Sequence, residues 1–240
     1  MVHSFFFYFK FWLFMVLSLV MVIPLYVFRL FRLNKIENSY VLWATTRWAR
    51  FILRITPAEV IVHGIDNLPE GGNHCFVANH QSAYDIPLIM AVIPRNIGFI
   101  SKKELTLLPI VSTWMRAMHC VFIDRKSPRK AVKQLEKAVK NLQAGHSMVV
   151  FPEGTRSRSA QMRTFRTGSL KIAFRAGSTI VPITIKDTYK LREEHDRITP
   201  GTVELFIHKP VPTAHLTPEN RRELGPQLET TIAAPLRNPD

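Results

Sequence analysis

Residues 11 to 28 run eighteen positions without a charged side chain, and from residue 5 onward only Lys10 and Ser18 interrupt the apolar character. At about 1.5 Å of rise per residue, eighteen helical residues reach about 27 Å, close to the hydrocarbon thickness of a bilayer. The stretch is apolar on every side, so it does not suit the half-buried surface helix of a soluble domain. A cleaved signal peptide would end in small residues, whereas Arg29, Leu30, Phe31 and Arg32 follow directly. The expectation is an uncleaved hydrophobic helix that ties the chain to a membrane.

Residues 34–55 have a different texture, mixing Val41, Leu42, Trp43, Trp48, Phe51 and Ile52 with Arg47, Arg50 and Arg54. Between positions 29 and 55 stand six Lys and Arg and a single Glu. A basic face beside an aromatic one suits a headgroup interface. The same pattern suits an amphipathic helix packed on its own domain, and both readings stand. If the first helix spans, the positive excess after it places the remainder in the cytoplasm, on the inner face of the membrane. Residues 1–56 are thus expected to form membrane-anchoring helices, leaving 57–240 for a globular domain with one substantial core.

That domain alternates short β-branched runs with helical stretches. Strands are expected at 60–62, 75–78, 97–100, 121–123, 148–151, 180–185 and 203–207, and helices at 84–92, 103–118 with a break near Pro109, 128–144, 167–176 and 218–234. Such alternation implies an α/β sheet flanked by helices. Thirty-two Lys and Arg against eighteen Asp and Glu leave a charge of +14, which favours nucleic acid, anionic lipid or a phosphorylated substrate as partner. Aromatic residues gather in the apolar N-terminus instead of interleaving with the basic stretches, which speaks against nucleic acid. Cys75 and Cys120 both lie in apolar stretches, as buried thiols of a reducing compartment would. No Cys or His spacing typical of metal ligands occurs, so no metal is expected.

Three stretches carry chemistry. In Asn79-His80-Gln81-Ser82-Ala83-Tyr84-Asp85, His80 and Asp85 are five positions apart. On one continuous helix they would point about 140° apart, so His80 must precede the helix. With Ser82 as N-cap and Asp85 at the third helical position, the carboxylate reaches back toward the imidazole. The heptapeptide alone also fits a capped helix with a bystander histidine. The second stretch, Phe151-Pro152-Glu153-Gly154-Thr155-Arg156, leaves a strand in a tight turn and is followed by Arg158, Arg163, Arg166, Lys171 and Arg175 with no acid among them. It reads as a phosphate platform in which Glu153 pairs with an arginine. The third, Phe122-Ile123-Asp124-Arg125, places Asp124 and Arg125 at a strand exit, as Lys102 and Lys103 are at another.

Taken in order with Val181-Pro182-Ile183, these stretches resemble the four motifs of the glycerolipid acyltransferases, and most closely the PlsC-like 1-acylglycerol-3-phosphate acyltransferase branch. The resemblance covers about Val60 to Pro212. Two positions differ: His119 stands where the family usually has a glycine three residues before the Phe, and Phe165-Arg166-Thr167-Gly168 replaces the common Phe-Lys-x-Gly.

The resemblance implies a mixed sheet and the transfer of a fatty acyl chain to the sn-2 hydroxyl of lysophosphatidate, giving phosphatidic acid. The donor would be acyl-CoA or an acyl carrier protein, with no further cofactor. His80 and Asp85 would be catalytic, and Arg125, Glu153, Gly154, Thr155, Arg156 and Lys102 would bind the substrate. Imidazole suits a general base near neutral pH. The same chemistry on a lyso-aminolipid or glycerol 3-phosphate, and a noncatalytic protein binding anionic lipid, are the rival readings.

Overall fold

A computed structural model describes residues 2–237, so residues 238–240 of the expected globular unit lie outside the described residues. Every expected strand is present, as β1 (Ala58–His63), β2 (His74–Ala78), β3 (Ile97–Lys102), β4 (Val121–Ile123), β5 (Ser147–Val150), β6 (Thr179–Lys186) and β7 (Gly201–Ile207). They form one mixed sheet in the order β1-β7-β6-β2-β5-β3-β4. Five strands from β6 to β4 run parallel, while β7 is antiparallel to β6 and β1 runs parallel to β7. The carboxyl ends of β2, β3, β4, β5 and β6 therefore share one edge, where open α/β sheets collect their site residues.

Helices cover both faces. α1 (Val2–Leu30), α2 (Asn34–Ile55), α3 (Asp85–Val92) and α4 (Pro109–Ala117) lie on one; α5 (Pro128–Gln143), α6 (Lys171–Ala176) and α7 (Pro218–Arg237) lie on the other. The alternation of β2 explains the division: Phe76 and Ala78 join the core under α1 to α4, and Cys75 and Val77 join the core under α5 to α7. All five β2 residues are buried, as expected of a strand covered on both faces. The expected break near Pro109 is real: a 3-10 turn over Lys103–Leu107 ends before it, and Pro109 opens α4. Proline is at home there, because the first helical N–H has no intrahelical partner to lose.

Pro182 sits inside β6 at little cost for a related reason. Its carbonyl accepts from His208 N (3.0 Å). Its nitrogen faces the same side, just past the last β6–β7 pair, Ile183 with Ile207, so the missing N–H forgoes at most one bond at the end of that ladder.

α1 and α2 form an antiparallel pair. The Phe14 and Phe51 rings stack at 4.6 Å, Tyr40 Oη donates to Met21 O (2.6 Å), and Arg29 pairs with Glu37 near the turn (2.8 Å). α2 buries Val41, Ala49, Ile52 and Leu53 in the same core as the sheet, so it packs on its own domain, with Arg47, Arg50 and Arg54 left exposed. α1 is long and apolar enough to cross a membrane over Ser4–Leu30. Both of its ends touch the body of the protein: Ser4 Oγ accepts from Ile198 N (3.2 Å), the Phe7 ring lies 6.4 Å from that of Tyr84, and Leu25 is fully buried. Its other side exposes Phe9, Trp12, Val16, Val20 and Ile23.

Candidate active site

The chain leaves β2 at Ala78 and is held at once. The Asn79 side-chain amide donates to Ile185 O (2.8 Å) and accepts from Ile185 N (2.7 Å), extending the ladder toward β6 by one side chain. His80 follows, with its side chain 17% exposed. Its Nδ1 donates to Asp85 Oδ2 (2.7 Å), and since a carboxylate can only accept, Nδ1 carries the proton of the neutral ring, whose lone pair is then on Nε2. The imidazole lies flat on the Phe151 ring at 4.1 Å, which fixes its plane as the carboxylate fixes its rotation.

Asp85 is completely buried. Oδ2 also accepts from Gln81 N (2.7 Å) and Ser82 N (3.0 Å), and Oδ1 accepts from the Thr188 hydroxyl. Four donors compensate the desolvation of one carboxylate. The expected reach of Asp85 back over the loop is thus present, but the helix start differs. α3 begins at Asp85 with Tyr84 as N-cap and without a side-chain cap. Ser82 Oγ accepts from Tyr84 N (3.1 Å) and donates to Glu193 (2.6 Å). A serine hydroxyl that closes a tight turn two residues on competes with the capping arrangement, and here it prevails.

Glu153 is buried, yet among the described residues it has no arginine side chain as ion-pair partner, contrary to the expectation from the sequence. Oε1 accepts from His80 N (2.6 Å) and Oε2 from Arg163 N (2.9 Å). The carboxylate therefore binds the histidine loop to its own loop through two backbone amides. Burial pushes its pKa up against the opposing effect of those two bonds. Ser157 N and Arg158 N donate to His80 O and Gln81 O (2.8 and 3.1 Å), lacing the two loops together. Gly154 makes the turn at φ +73, and a Cβ there would press on the Arg166 guanidinium at 3.3 Å.

Thr155 is exposed in the same turn. Arg156 is held near the histidine loop by Glu193 (3.6 Å), whose Oε1 also accepts from Ala83 N (3.1 Å). Arg125 and Lys102 lie at the exits of β4 and β3 on the same edge of the sheet, and both are exposed. Among the described residues neither touches His80 or Asp85. It is Lys103 that pairs with Asp124 (2.7 Å), holding the Asp124 carboxyl below its ordinary pKa.

Two residues that hold the histidine loop have no counterpart in the sequence reading: Thr188 and Glu193, both after β6. Their types are unremarkable and their partners lie 103 and 111 positions away, so no local pattern marks them.

His119 explains why a glycine is common at its position. It follows the last turn of α4 with φ +60, and Cys120 N reaches back to Met115 O (2.8 Å) in the left-handed closure that glycine usually makes. Its ring stacks on that of His146 at 3.6 Å. Burial first, and His146 second, lower its pKa to about 4. The crossing is tight, since a Cβ on Gly98 would lie 2.8 Å from His119 O.

Beside the histidine loop an apolar cavity of about 390 Å³ runs between α1, α2, α3 and α4, lined by residues including Ala83, Met15, Ala44, Trp48 and Met115. The assembled site offers a basic imidazole nitrogen on a rigid support, a nearby arginine and an apolar chamber. This combination suits proton abstraction from an alcohol beside a bound aliphatic chain.

A family model described as Acyltransferase matches residues 59–186. A probable 1-acyl-sn-glycerol-3-phosphate acyltransferase of Mycoplasma pneumoniae is 32% identical over 208 residues, covering 78% of this chain and 76% of that protein. A chloroplastic 1-acyl-sn-glycerol-3-phosphate acyltransferase of Arabidopsis thaliana is 33% identical, covering 64% of this chain and 44% of the relative. The chain spans about half the length of several such relatives. The crystal structure of the 1-acyl-sn-glycerophosphate acyltransferase PlsC from Thermotoga maritima matches with a TM-score of 0.85 and 31% identity, covering 98% of this chain and 93% of that one.

Proposed function

This chain belongs to the acyltransferase family, and on that premise we propose that it transfers a fatty acyl chain from an acyl thioester to the sn-2 hydroxyl of 1-acylglycerol-3-phosphate, giving phosphatidic acid. The observation that carries the reading is the His80–Asp85 pair, 2.7 Å apart with the carboxylate fully buried. It leaves Nε2 as the free basic nitrogen.

His80 Nε2 takes the hydroxyl proton as the oxygen attacks the thioester carbonyl. Asp85 stabilises the imidazolium, the tetrahedral adduct expels the thiolate, and the imidazolium returns its proton to the sulfur. The step balances with two substrates and needs no acyl-enzyme. Ser82, whose hydroxyl is engaged by Glu193 and Tyr84 N, has a structural part. Arg156 grips the acceptor phosphate, with Arg125 and Lys102 adding positive potential at the adjoining strand exits. Glu153, with Gly154 and Thr155, shapes the loop that carries Arg156.

The apolar cavity receives the acyl chain. A methylene fills roughly the volume of a water molecule, about 30 Å³, so the cavity holds on the order of a dozen. Residues 1–56 act as the membrane anchor. Because both ends of α1 touch the same body, its exposed apolar side rests in one leaflet on the cytoplasmic face, where both lipids reside.

Purified protein, assayed with lysophosphatidate and a labelled acyl thioester, tests the reading. His80→Ala is expected to lower kcat by at least about a hundredfold. A folded variant that keeps near wild-type turnover would overturn it.

A further inference from the structure

Arg129, Lys130, Lys133, Lys137 and Lys140 recur along α5 at helical spacing and fall within about 100° of one another around its axis. The opposite side of the helix buries Ala138, Val139 and Leu142. All five cations are exposed. Among the described residues none has a carboxylate at ion-pair distance, because the nearby acids are engaged elsewhere. Glu136 accepts two bonds from Arg175 (2.7 and 2.6 Å), and Asp124 holds Lys103. The result is an uncompensated cationic strip about 17 Å long, whose first turn follows Arg125 at the rim of the site.

The place of the strip in the fold narrows its partner. α5 lies behind the sheet, on the face opposite α1. A lipid surface drawn to α5 would leave the apolar side of α1 in water. Nucleic acid is disfavoured too, since residues 125–143 contain no aromatic side chain on which a base could stack. A strip of this length and sign, ending at the catalytic edge, fits a small soluble acidic protein that docks one of its helices there and feeds a tethered thioester into the site.

We propose that α5 is the docking strip for an acidic acyl carrier protein acting as donor. The proposal rests on the acyl-transfer reading above and adds the partner and its surface.

The test reverses three charges remote from the site, Lys133→Glu, Lys137→Glu and Lys140→Glu, in the full chain. KM for acyl carrier protein thioester should rise about tenfold or more, while acyl-CoA kinetics stay within about twofold. Binding of acyl carrier protein itself, read by fluorescence polarisation, should weaken by the same factor and fall with salt in the wild type. That measurement stands even if neither donor is turned over, a result that would refute acyl transfer and leave docking to be judged on binding. An unchanged carrier KM and affinity, or loss of binding to anionic vesicles with carrier affinity intact, overturns the proposal. The triple Lys→Gln variant, expected to give an intermediate KM at an unchanged melting temperature, separates charge from folding.

Discussion

Replacing Asp85 by Asn separates the charge of the carboxylate from its shape. Oδ2 takes three donors and Oδ1 takes only the Thr188 hydroxyl. An asparagine can therefore place its oxygen at the Oδ2 position and turn its amide nitrogen toward Thr188, whose hydroxyl also accepts. The loop keeps its geometry, and thermal unfolding should move by only a few degrees. What disappears is the negative charge 2.7 Å from the imidazole. At an effective dielectric near 20, a charge pair at close range is worth on the order of 4 kcal/mol. Most of that is realised when the imidazolium forms, so kcat should fall by about a hundredfold to ten-thousandfold. Steady-state acyl transfer to lysophosphatidate, beside a melting curve, reads both quantities. If a stably folded Asp85→Asn enzyme keeps more than about a tenth of wild-type kcat, the buried charge is not a stabiliser of the transition state. Asp85→Ala is expected to fail differently: it strands two backbone N–H groups and an imidazole N–H in a dry site, and the protein itself should lose several kcal/mol of stability.

The other predictions touch separate parts of the fold. Glu193→Gln removes the charge that holds Arg156, so KM for the acceptor should rise severalfold with kcat little changed; an effect confined to kcat would refute a positioning role. At residue 119 glycine should be more stable than alanine by about 1 kcal/mol in chemical denaturation, since φ +60 penalises any Cβ. The His119 proton is taken up near pH 6.5 in the unfolded chain but only near about 4 in the folded one. Stability should therefore fall as pH drops across that window, and His119→Gly should flatten the slope; an unaltered slope would count against it. Ala44→Phe, directed into the apolar cavity, should shift preference toward shorter acyl thioesters, and an unshifted chain-length profile would place the acyl chain elsewhere.

The positions of the strands were legible because each is a short β-branched run bounded by helical pattern or turn residues, as Met148-Val149-Val150 is between Gly145 and Pro152. Their order across the sheet was not, because register between Phe76 and Val181 leaves no trace in either segment. Spacing showed that His80 must precede the helix and that Asp85 could reach back to it, but a bystander histidine fitted equally well until the later motifs were read with it. Glu153 misled for a physical reason: a run of arginines suggests an ionic partner, while a buried carboxylate is satisfied equally well by two backbone N–H groups, which every residue but proline carries. Ser82 misled likewise, as its hydroxyl had two local turns to choose from and a distant glutamate decided between them.

Three of the ties that fix the histidine loop are long in sequence. His80 reaches Glu153 across 73 positions, Asp85 reaches Thr188 across 103, and Ser82 reaches Glu193 across 111. Contacts of such separation form late, after the loop-closure entropy of the intervening chain has been lost. A nascent chain that has emerged only through β5 already contains the histidine, the aspartate and the apolar helices, but lacks the partners of all three ties. Its apolar helices are therefore made before the proposed catalytic loop can be assembled. Assembly of the histidine loop in this way waits until synthesis has passed Glu193.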